Sequence, residues 1–234
     1  MYTHIVEAPR VLGIAAASGM LHLLTYAYAA LLPGVLQLPQ APRTAIVQLS
    51  ASGRKLTWSA KASASEPCDT PLGTYLSEAA GDDLVIRLDD SVESWTSPSV
   101  GRINARMHPL RLPGLTVVPT AEIWVDAVPD GLRYRTERVR CEYQGAFSEL
   151  LSKVQPQVTA LSDLRSSNNM LVMNTEFLLT VPLPAWWPIP DSVSDVGSSM
   201  IRGIVEKDTR QSITRIKAEY AAWRNTASGS RSTQ

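Results

Sequence analysis

The chain has 234 residues and a formal net charge of zero, and 44% of its residues are hydrophobic while 19% are charged. This length suits one domain plus an additional segment, and the composition excludes a wholly disordered chain. The balanced charge gives no indication of a nucleic-acid partner. The two cysteines, Cys68 and Cys141, are too few for a zinc site. Two reduced thiols are favoured over a disulfide between them, because disulfide-stapled domains are smaller and richer in cysteine.

The first 65 residues have a composition of their own. Asp and Glu are absent from residues 8–65, whereas both are frequent in the rest of the chain. Residues 11–36 are mainly apolar, and the triplet Ala27-Tyr28-Ala29 within them fits the narrow pocket of a signal peptidase. Residues 37–65 carry scattered basic side chains among many Ser and Ala, which is typical of a plastid transit peptide.

A signal-like segment followed by a transit-like segment is the order required for import into a plastid with additional membranes, as in algae with secondary plastids. We therefore interpret residues 1–65 as a removable bipartite presequence. A retained transmembrane anchor is the alternative, since about 20 apolar residues are enough to span a bilayer. Pro33 and Gly34 interrupt the apolar run, which favours the presequence.

The sequence after the presequence predicts several short elements. Residues 70–78 begin with turn residues and are compatible with one short helical turn. A β-branched run predicts a strand over 84–88, and a polar stretch with a proline predicts a loop over 91–99. Alternation of apolar and polar residues predicts a half-buried strand over 101–107. Two prolines predict an irregular edge or loop over 108–113.

A β-hairpin is well indicated in the middle of the chain. Alternation over residues 121–128 leads into Pro129-Asp130-Gly131, in which Pro presets φ and Gly is expected to supply a positive φ for the turn. Interleaved charged and apolar residues over 132–144 predict the returning strand.

The following segment predicts a helix, a turn and a strand. Apolar residues at helical spacing favour a helix over 146–158. Asn168 and Asn169 indicate a turn, and residues 170–181 predict a long final strand. Four prolines over 182–190 forbid both a helix and a central strand.

A long amphipathic helix is predicted near the end of the sequence. After a cap at Asp191 or Ser192, apolar residues recur at steps of three and four, with a break in the spacing around residues 206–211. Several antiparallel strands followed by one such helix predict an α+β domain, in which a curved antiparallel sheet grips the helix and leaves room for a cavity. This domain is expected to span residues 66–225, followed by a disordered tail at 226–234.

Several short motifs occur in an order that carries a family resemblance. They are residues 106–110 (RMHPL) leading into 115–119 (LTVVP), Gly131-Leu132, residues 181–184 (VPLP), Gly197 and residues 219–223 (EYAAW). In this order, over about residues 69–224, they resemble an uncharacterised domain family of cyanobacteria and plastids that is placed with the START-like, helix-grip folds. The resemblance implies an apolar ligand such as a lipid, sterol or pigment between sheet and helix. It brings no catalytic residues, because that family has no established enzyme activity.

The sequence after residue 65 offers no convincing catalytic or metal-binding group. His108 is the single histidine there and lies beside Pro109, which indicates a structural or surface residue. A nucleophile elbow and a glycine-rich phosphate loop are both absent from the sequence. The acidic pairs at 82–83 and 89–90 are typical of solvated strand ends rather than a metal site. We therefore expect no enzyme activity, no metal and no cofactor.

Six side chains are candidates for a ligand site, four as the wall of a cavity and two as a cationic rim for a carboxylate or a lipid headgroup. Ordinary core packing and a solvated strand are the respective alternatives. The wall candidates are Trp95, Trp124, Tyr134 and Tyr143, and the rim candidates are Arg133 and Arg135.

Two further features bear on these candidates. Strict alternation places Arg133 and Arg135 on one face of their strand and Arg138 and Arg140 on the other, unless a bulge intervenes. Trp186-Trp187, which stands between prolines, is a candidate for contact with a membrane or a partner, and plugging the end of the core is the alternative.

These observations predict a non-enzymatic plastid protein, in the stroma or at the thylakoid, that binds an apolar ligand such as a lipid or pigment between sheet and helix. The alternative is a structural or assembly partner of a photosynthetic membrane complex that holds no ligand. Cavity volume separates the two, because a void on the order of several hundred Å³ supports a ligand and a filled core supports the partner.

Overall fold

The computed structural model describes residues 49–50, 53–68, 72–76, 80–112, 114–145, 148–153, 155–183 and 192–229. Nine strands and four helices are present within these residues. The strands are β1 (Leu49–Ser50), β2 (Gly53–Pro67), β3 (Val92–Ser99), β4 (Arg102–Met107), β5 (Leu110–Leu112), β6 (Leu115–Val128), β7 (Gly131–Gly145), β8 (Gln157–Ser167) and β9 (Met170–Leu183). The helices are α1 (Leu72–Thr74), α2 (Leu84–Arg87), α3 (Ser148–Ser152) and α4 (Ser192–Gly229).

All nine strands belong to one antiparallel sheet. Its order is β1-β2-β9-β8-β7-β6-β4-β3, and β5 pairs with β6 at the side. The long helix α4 packs mainly along β2 and to a lesser extent on β9. The predicted fold class, an α+β domain in which an antiparallel sheet grips a long C-terminal helix, is thereby confirmed.

The core lies between one face of the sheet and the buried stripe of α4. Alternate residues of each long strand point inward, because successive side chains of a strand lie on opposite faces. Each fully buried aliphatic side chain contributes about 1.5–3 kcal/mol through removal of its surface from water. The apolar members of the helical stripe are Ile201, Val205, Ile213, Ile216 and Tyr220.

Strand β2 corrects the expected boundary of the domain. It begins at Gly53 and pairs with β9 from Arg54↔Leu183 to Pro67↔Met170, so residues 53–65 belong to the sheet. A presequence removed after residue 65 would take most of this strand with it. The physical reason is alternation, since every second residue from Leu56 to Ala64 is apolar and lies on the more buried face of the strand, with Thr, Ser and Lys between them. Residues 1–48 lie outside the described part of the chain.

Two local predictions near residue 90 are wrong. Residues 84–87 form the one-turn helix α2 instead of a strand, because Leu84, Val85 and Ile86 are consecutive and all buried, whereas a strand would turn every second one outward. Residues 92–99 form the edge strand β3 instead of a loop. Its polar residues and its proline are tolerated because an edge strand faces solvent and needs few ladder hydrogen bonds.

The segment after β7 also differs from expectation. Within the predicted helix over 146–158, the structure describes a helix at Ser148–Ser152, and β8 occupies Gln157–Ser167, where the sequence predicts no strand. The inward positions of β8 include Ala160 and the hydroxyl of Ser162, which weakens the apolar alternation that identifies a half-buried strand.

The central hairpin is confirmed, with one change in its chemistry. Strands β6 and β7 pair from Val128↔Gly131 outward, as predicted. The positive φ of the turn belongs to Asp130 (61°) rather than to Gly131. Gly131 is required for another reason, since a Cβ atom there would lie 1.9 Å from the carbonyl oxygen of Leu164 on β8.

Other local predictions agree with the structure. The turn at Asn168 and Asn169 has positive φ at both residues, 50° and 59°, which matches the twist of a two-residue β-hairpin. Both cysteines, Cys68 and Cys141, are buried and are not joined in a disulfide.

Candidate functional site

A small cavity, called the grip cavity below, lies between the sheet and α4. Its walls come from α2, from the neighbouring strands β6 to β9 and from α4, and its volume is about 20 Å³. The residues that line it are Val85, Ile86, Ile123, Tyr134, Thr136, Ala160, Ser162, Met173, Thr175, Asp208, Thr209 and Ser212.

The size of the grip cavity limits what this closed structure holds. A cavity needs roughly 10–15 Å³ to admit one water molecule, so about 20 Å³ suits a single small polar group. A void of several hundred Å³, which would have supported a whole bound lipid, is not what this cavity provides.

Asp208 is the most unusual group in the cavity wall. It lies on the buried stripe of α4 with 3% of its surface exposed, and its Oδ2 atom has no hydrogen-bond partner. Burial, and then the charge of Asp89, raise the pKa of Asp208 to about 8 against the opposing charges of Lys207 and Arg215. Asp208 is therefore mainly protonated at neutral pH, and a protonated carboxyl both donates and accepts.

Buried hydroxyl groups join α4 to the sheet beside Asp208. The Thr209 Oγ1 atom lies 2.7 Å from the Val205 carbonyl oxygen and 3.1 Å from the Thr175 Oγ1 atom. The Ser162 Oγ atom lies 3.4 Å from Thr175 Oγ1, which is a long contact. A carbonyl only accepts, so Thr209 donates its single proton to Val205 and accepts from Thr175. Each hydroxyl of this chain thus donates toward α4, and lone pairs of the Thr175 and Ser162 oxygens remain free to accept a hydrogen bond from a group in the cavity.

Tyr134 supplies the second unpartnered polar atom of the wall. Its side chain is 5% exposed, and its hydroxyl has no hydrogen-bond partner. The Val85 backbone is close enough to influence this group but makes no hydrogen bond of normal geometry with it. Burial raises the pKa of Tyr134, so the phenol keeps its proton and remains a donor.

A second and smaller pocket, called the side pocket below, adjoins the grip cavity and shares Val85, Asp208 and Ser212 with it. Its volume is about 10 Å³, and it lies between α4 and the turn that follows α2. Arg215 closes this side, since its guanidinium donates to the Leu88 carbonyl oxygen at 2.5 Å and pairs with the Asp90 carboxylate.

Comparisons with known proteins assign no family to this chain. No family model matches the chain, and no curated protein matches it. The family resemblance drawn from the sequence motifs therefore stays a prediction.

Solved structures of similar chain path share few identical residues with this chain. One is Ara h 8.0201, at 14% identity over 64% of this chain and 97% of that chain, with a TM-score of 0.30. Another is the ZhuI aromatase/cyclase from Streptomyces sp. R1128, at 12% identity over 70% of this chain and 93% of that chain, with a TM-score of 0.37. Ginseng major latex-like protein 151 from Panax ginseng is 6% identical over 64% and 96%, with a TM-score of 0.33. No function is transferred from proteins at these values.

A bulge places all four arginines of β7 on the outer face of the sheet. Opposite β6, the register changes between Glu122↔Arg138 and Ile123↔Thr136, which leaves Glu137 as an extra residue. The inward positions on both sides of the bulge are buried, and the arginines between them point away from α4. The alternation expected without a bulge, with two arginines on each face, does not occur. The four arginines are Arg133, Arg135, Arg138 and Arg140.

The two arginines proposed as a cationic rim are consequently remote from the grip cavity. Arg133 pairs with Asp163 at 2.6 Å, and its hydrogen bond lowers the pKa of that carboxyl. Arg135 lies 3.5 Å from Glu137. Both charges are neutralised on the solvent side of the sheet.

The four aromatic candidates lie in different places. Tyr134 lines the grip cavity, whereas Trp95 is 40% exposed on the edge strand β3. Trp124 lies on the outer face, where the guanidinium carbon of Arg102 is 5.1 Å from its ring centroid. Tyr143 is half-buried and packs against the core farther along β7.

The sequence also raises a membrane contact and a metal site. Trp186 and Trp187 lie outside the described residues. Among the helices that the structure describes, none is both long and apolar enough to cross a membrane. Within the same residues, no group of three or more His, Cys, Asp or Glu side chains is arranged to hold a metal ion.

The cavity residues of α4 are absent from the sequence-based candidates, although the sequence carries a signal for them. The buried stripe runs through Ile201 and Val205 to Asp208 and Thr209, and then to Ile213. Polar residues on the buried stripe therefore account for the break in apolar spacing around residues 206–211. A polar interruption of an otherwise apolar helix face indicates a site that the helix presents to its partner surface.

Proposed function

We propose that this domain binds an apolar molecule that carries one polar group, held between the sheet, α2 and α4. The observation that supports the proposal is the convergence of two buried and unpartnered polar atoms, Asp208 Oδ2 and the Tyr134 hydroxyl, on one cavity. A buried polar atom without a partner costs about 1–3 kcal/mol. A ligand group that bonds both atoms would recover this cost, which gives the bound state an advantage over the closed one.

The apolar body of the ligand has to take the place of side chains that now close the cavity. Val85 and Ile86 of α2 form one wall of the cavity. Displacement of this short helix would expose their side chains to water unless a ligand took over their apolar contacts. Polar links hold the outer side, namely the Arg215 contacts described above and a 3.0 Å ion pair between Arg87 and Glu219. Partly exposed ion pairs contribute about 0–1 kcal/mol each. The polar links that close α2 against α4 are therefore weak, and opening at α2 is the route that we propose for a ligand to reach Asp208.

We propose binding without catalysis. The carboxyl that would have to act as a base, Asp208, keeps its proton at neutral pH. The Thr209 and Thr175 hydroxyls are already hydrogen-bonded to one another, and activation of a hydroxyl nucleophile needs an adjacent base.

The direct test is to identify what the full chain carries. We expect native mass spectrometry of the purified chain to show an added mass, and solvent extraction to recover an apolar compound. Ala160→Val should weaken rebinding of that compound by about tenfold, because the added methyl groups enter the grip cavity. Ala121→Val is the matched control, since Ala121 is a similarly buried alanine on β6 of the same sheet that does not line the cavity.

A second candidate, a structural partner without a ligand, is favoured by the small cavity volume and by the exposed apolar residues near the β3 edge. Trp95 is 40% exposed and Val100 is 96% exposed. Recovery of the chain with no added mass, together with a stable complex that Trp95→Ser dissociates, would replace the ligand-binding proposal by this one.

A further inference from the structure

We propose that the polar group accepted by the grip cavity is an uncharged hydroxyl, so that the ligand class is an apolar alcohol. This inference rests on the proposed ligand-binding function and specifies the chemistry of the ligand's polar end. Three observations support it: the charges around the cavity, the direction of its hydrogen bonds and its volume.

The charges around the cavity disfavour an anionic group. Among the described residues that line it, none is Lys, Arg or His. The Arg215 guanidinium, which lies at the adjoining side pocket, is already bonded to Leu88 and Asp90. A buried carboxylate or phosphate would face Asp208 without a compensating cation, and burying an unpaired charge is far more costly than burying a neutral group.

The hydrogen-bonding groups of the wall match a hydroxyl. The Tyr134 phenol and the protonated Asp208 carboxyl offer donors, while the oxygens of Ser162 and Thr175 offer acceptors, because the protons of that chain are directed toward α4. A hydroxyl donates one hydrogen bond and accepts two, so it satisfies both kinds of group. A carbonyl could accept from both donors but would donate nothing to the Ser162 and Thr175 oxygens, whereas a hydroxyl does both. An ammonium would only donate, and it would meet a carboxyl that already holds its proton.

The volume agrees with this assignment. About 20 Å³ admits a group the size of one water molecule, and a hydroxyl is such a group. A carboxylate or a phosphate, with several heavy atoms, needs more room at the same position. The hydroxyl would therefore occupy the polar niche, and the carbon chain would extend toward α2.

The test compares three probes of equal chain length, 1-octanol, octanoate and octylamine, by isothermal titration calorimetry with the full chain at neutral pH. We expect 1-octanol to bind at least about tenfold more tightly than either charged probe, a difference of about 1.4 kcal/mol. Each variant used below is first checked for an intact thermal unfolding transition.

The variants separate the roles of the two unpartnered atoms. Asp208→Asn keeps one donor and one acceptor and should leave 1-octanol affinity within about threefold. Asp208→Leu and Tyr134→Phe should each weaken it by about tenfold, because each removes a hydrogen bond to the hydroxyl. Tyr143→Phe is the matched control, since Tyr143 lies on the same strand but does not line the cavity, and it should bind like the parent.

Failure of the inference is distinguishable from failure of the proposed function. Equal affinities for the three probes, or tightest binding of octanoate, would overturn the hydroxyl assignment while ligand binding stands. Tightest binding of octylamine with loss in Asp208→Asn would overturn it in favour of a cationic group. Absence of binding by all three probes, with no ligand recovered from the purified chain, would overturn both.

Discussion

Asp208 occupies a position on α4 where the helix pattern calls for an apolar side chain. Its neighbours along the stripe, Val205 and Ile213, are fully buried, and so is Asp208. A carboxyl at such a position is destabilising unless it keeps its proton or finds a partner. Its protonation should therefore be visible in the stability of the whole domain.

Stability is expected to fall as pH rises from about 4 to about 8. The pKa of Asp208 is raised from 3.8 to about 8 in the folded chain, so in this window the unfolded chain releases a proton that the folded chain still holds. Each pH unit then lowers the free energy of unfolding by at most about 1.4 kcal/mol. The charged groups that act on Asp208 are Asp89, which raises its pKa, and Lys207 and Arg215, which lower it.

Urea unfolding of the parent chain and Asp208→Asn at pH 5 and pH 8 measures this effect. The variant should lose less stability over this range, since Asn does not titrate. Asp126→Asn, an exposed change on β6, is the control and should keep the parent slope. Identical slopes in the parent and Asp208→Asn would show that Asp208 is already ionised in the fold.

Glycine positions give a second prediction at this scale. Gly131→Ala should destabilise the domain by about 3 kcal/mol or more, because the new Cβ would lie 1.9 Å from the Leu164 carbonyl oxygen, a backbone atom. Gly203→Ala should stabilise it by about 0.5–1 kcal/mol, since Gly203 lies inside α4 and, apart from its own helical turn, no atom lies within 4 Å of the new Cβ. Thermal unfolding compares the two, and a Gly131→Ala variant as stable as the parent would contradict the close approach of β7 and β8.

A site residue could be predicted from sequence only where an aromatic residue also lies on the inner face of a strand that borders the cavity. Tyr134 meets both conditions. Trp95 and Trp124 are also aromatic, but Trp95 lies on the edge strand and Trp124 on the outer face of the sheet. These locations depend on the strand order and on the pairing register, which the sequence does not show. The bulge at Glu137 determines which face of the sheet Arg138 and Arg140 lie on, and nothing in the local sequence predicts where the bulge occurs.

At the scale of elements, the structure makes β2 indispensable. It contributes Leu56, Trp58 and Ala60 to the core, and α4 packs along it more than along any other strand. Its composition resembles that of a transit peptide because Ala, Ser and Lys are common to both. Composition alone could not distinguish them, whereas the two-residue period of the apolar positions could.

Two truncations test this boundary. A chain that begins at residue 49 should fold, because all described strands remain. A chain that begins at residue 66 should lose cooperative unfolding, because β9 and α4 would lose their neighbour. Circular dichroism and urea unfolding report the outcome, with Trp58→Ala in the full chain as an intermediate case that should cost about 3–5 kcal/mol. Cooperative unfolding of the chain that begins at residue 66 would restore the boundary expected from composition.

The elements that sequence predicts well are those with a strong period or a specific turn. The hairpin around Asp130, strand β9 and helix α4 all have such signals, and all three are present. Their ends are predicted less well, since β9 continues through Pro182 to Leu183 and α4 continues to Gly229, into the tail expected to be disordered from residue 226. Helix α2 and strand β3 do not, because a single buried turn and a polar edge strand depend on what packs against them.

At the scale of the whole molecule, we propose plastid import, now confined to residues 1–48. Fusion of these residues to a fluorescent protein in an alga with secondary plastids should direct it into the plastid. A fusion that lacks residues 11–36 should stay in the cytosol, since the first membrane would not be crossed. Retention of an uncleaved fusion in the first membrane would support the anchor alternative instead.

The pairing of β2 with β9 has a consequence for synthesis. Lys61 of β2 faces Glu176 of β9, so more than a hundred residues must leave the ribosome before the two strands meet. Until then the nascent chain carries Trp58 and an open strand edge, which invites association with other chains. Such distant pairing also slows folding. We therefore expect the emerging polypeptide to depend on a chaperone until α4 has been made.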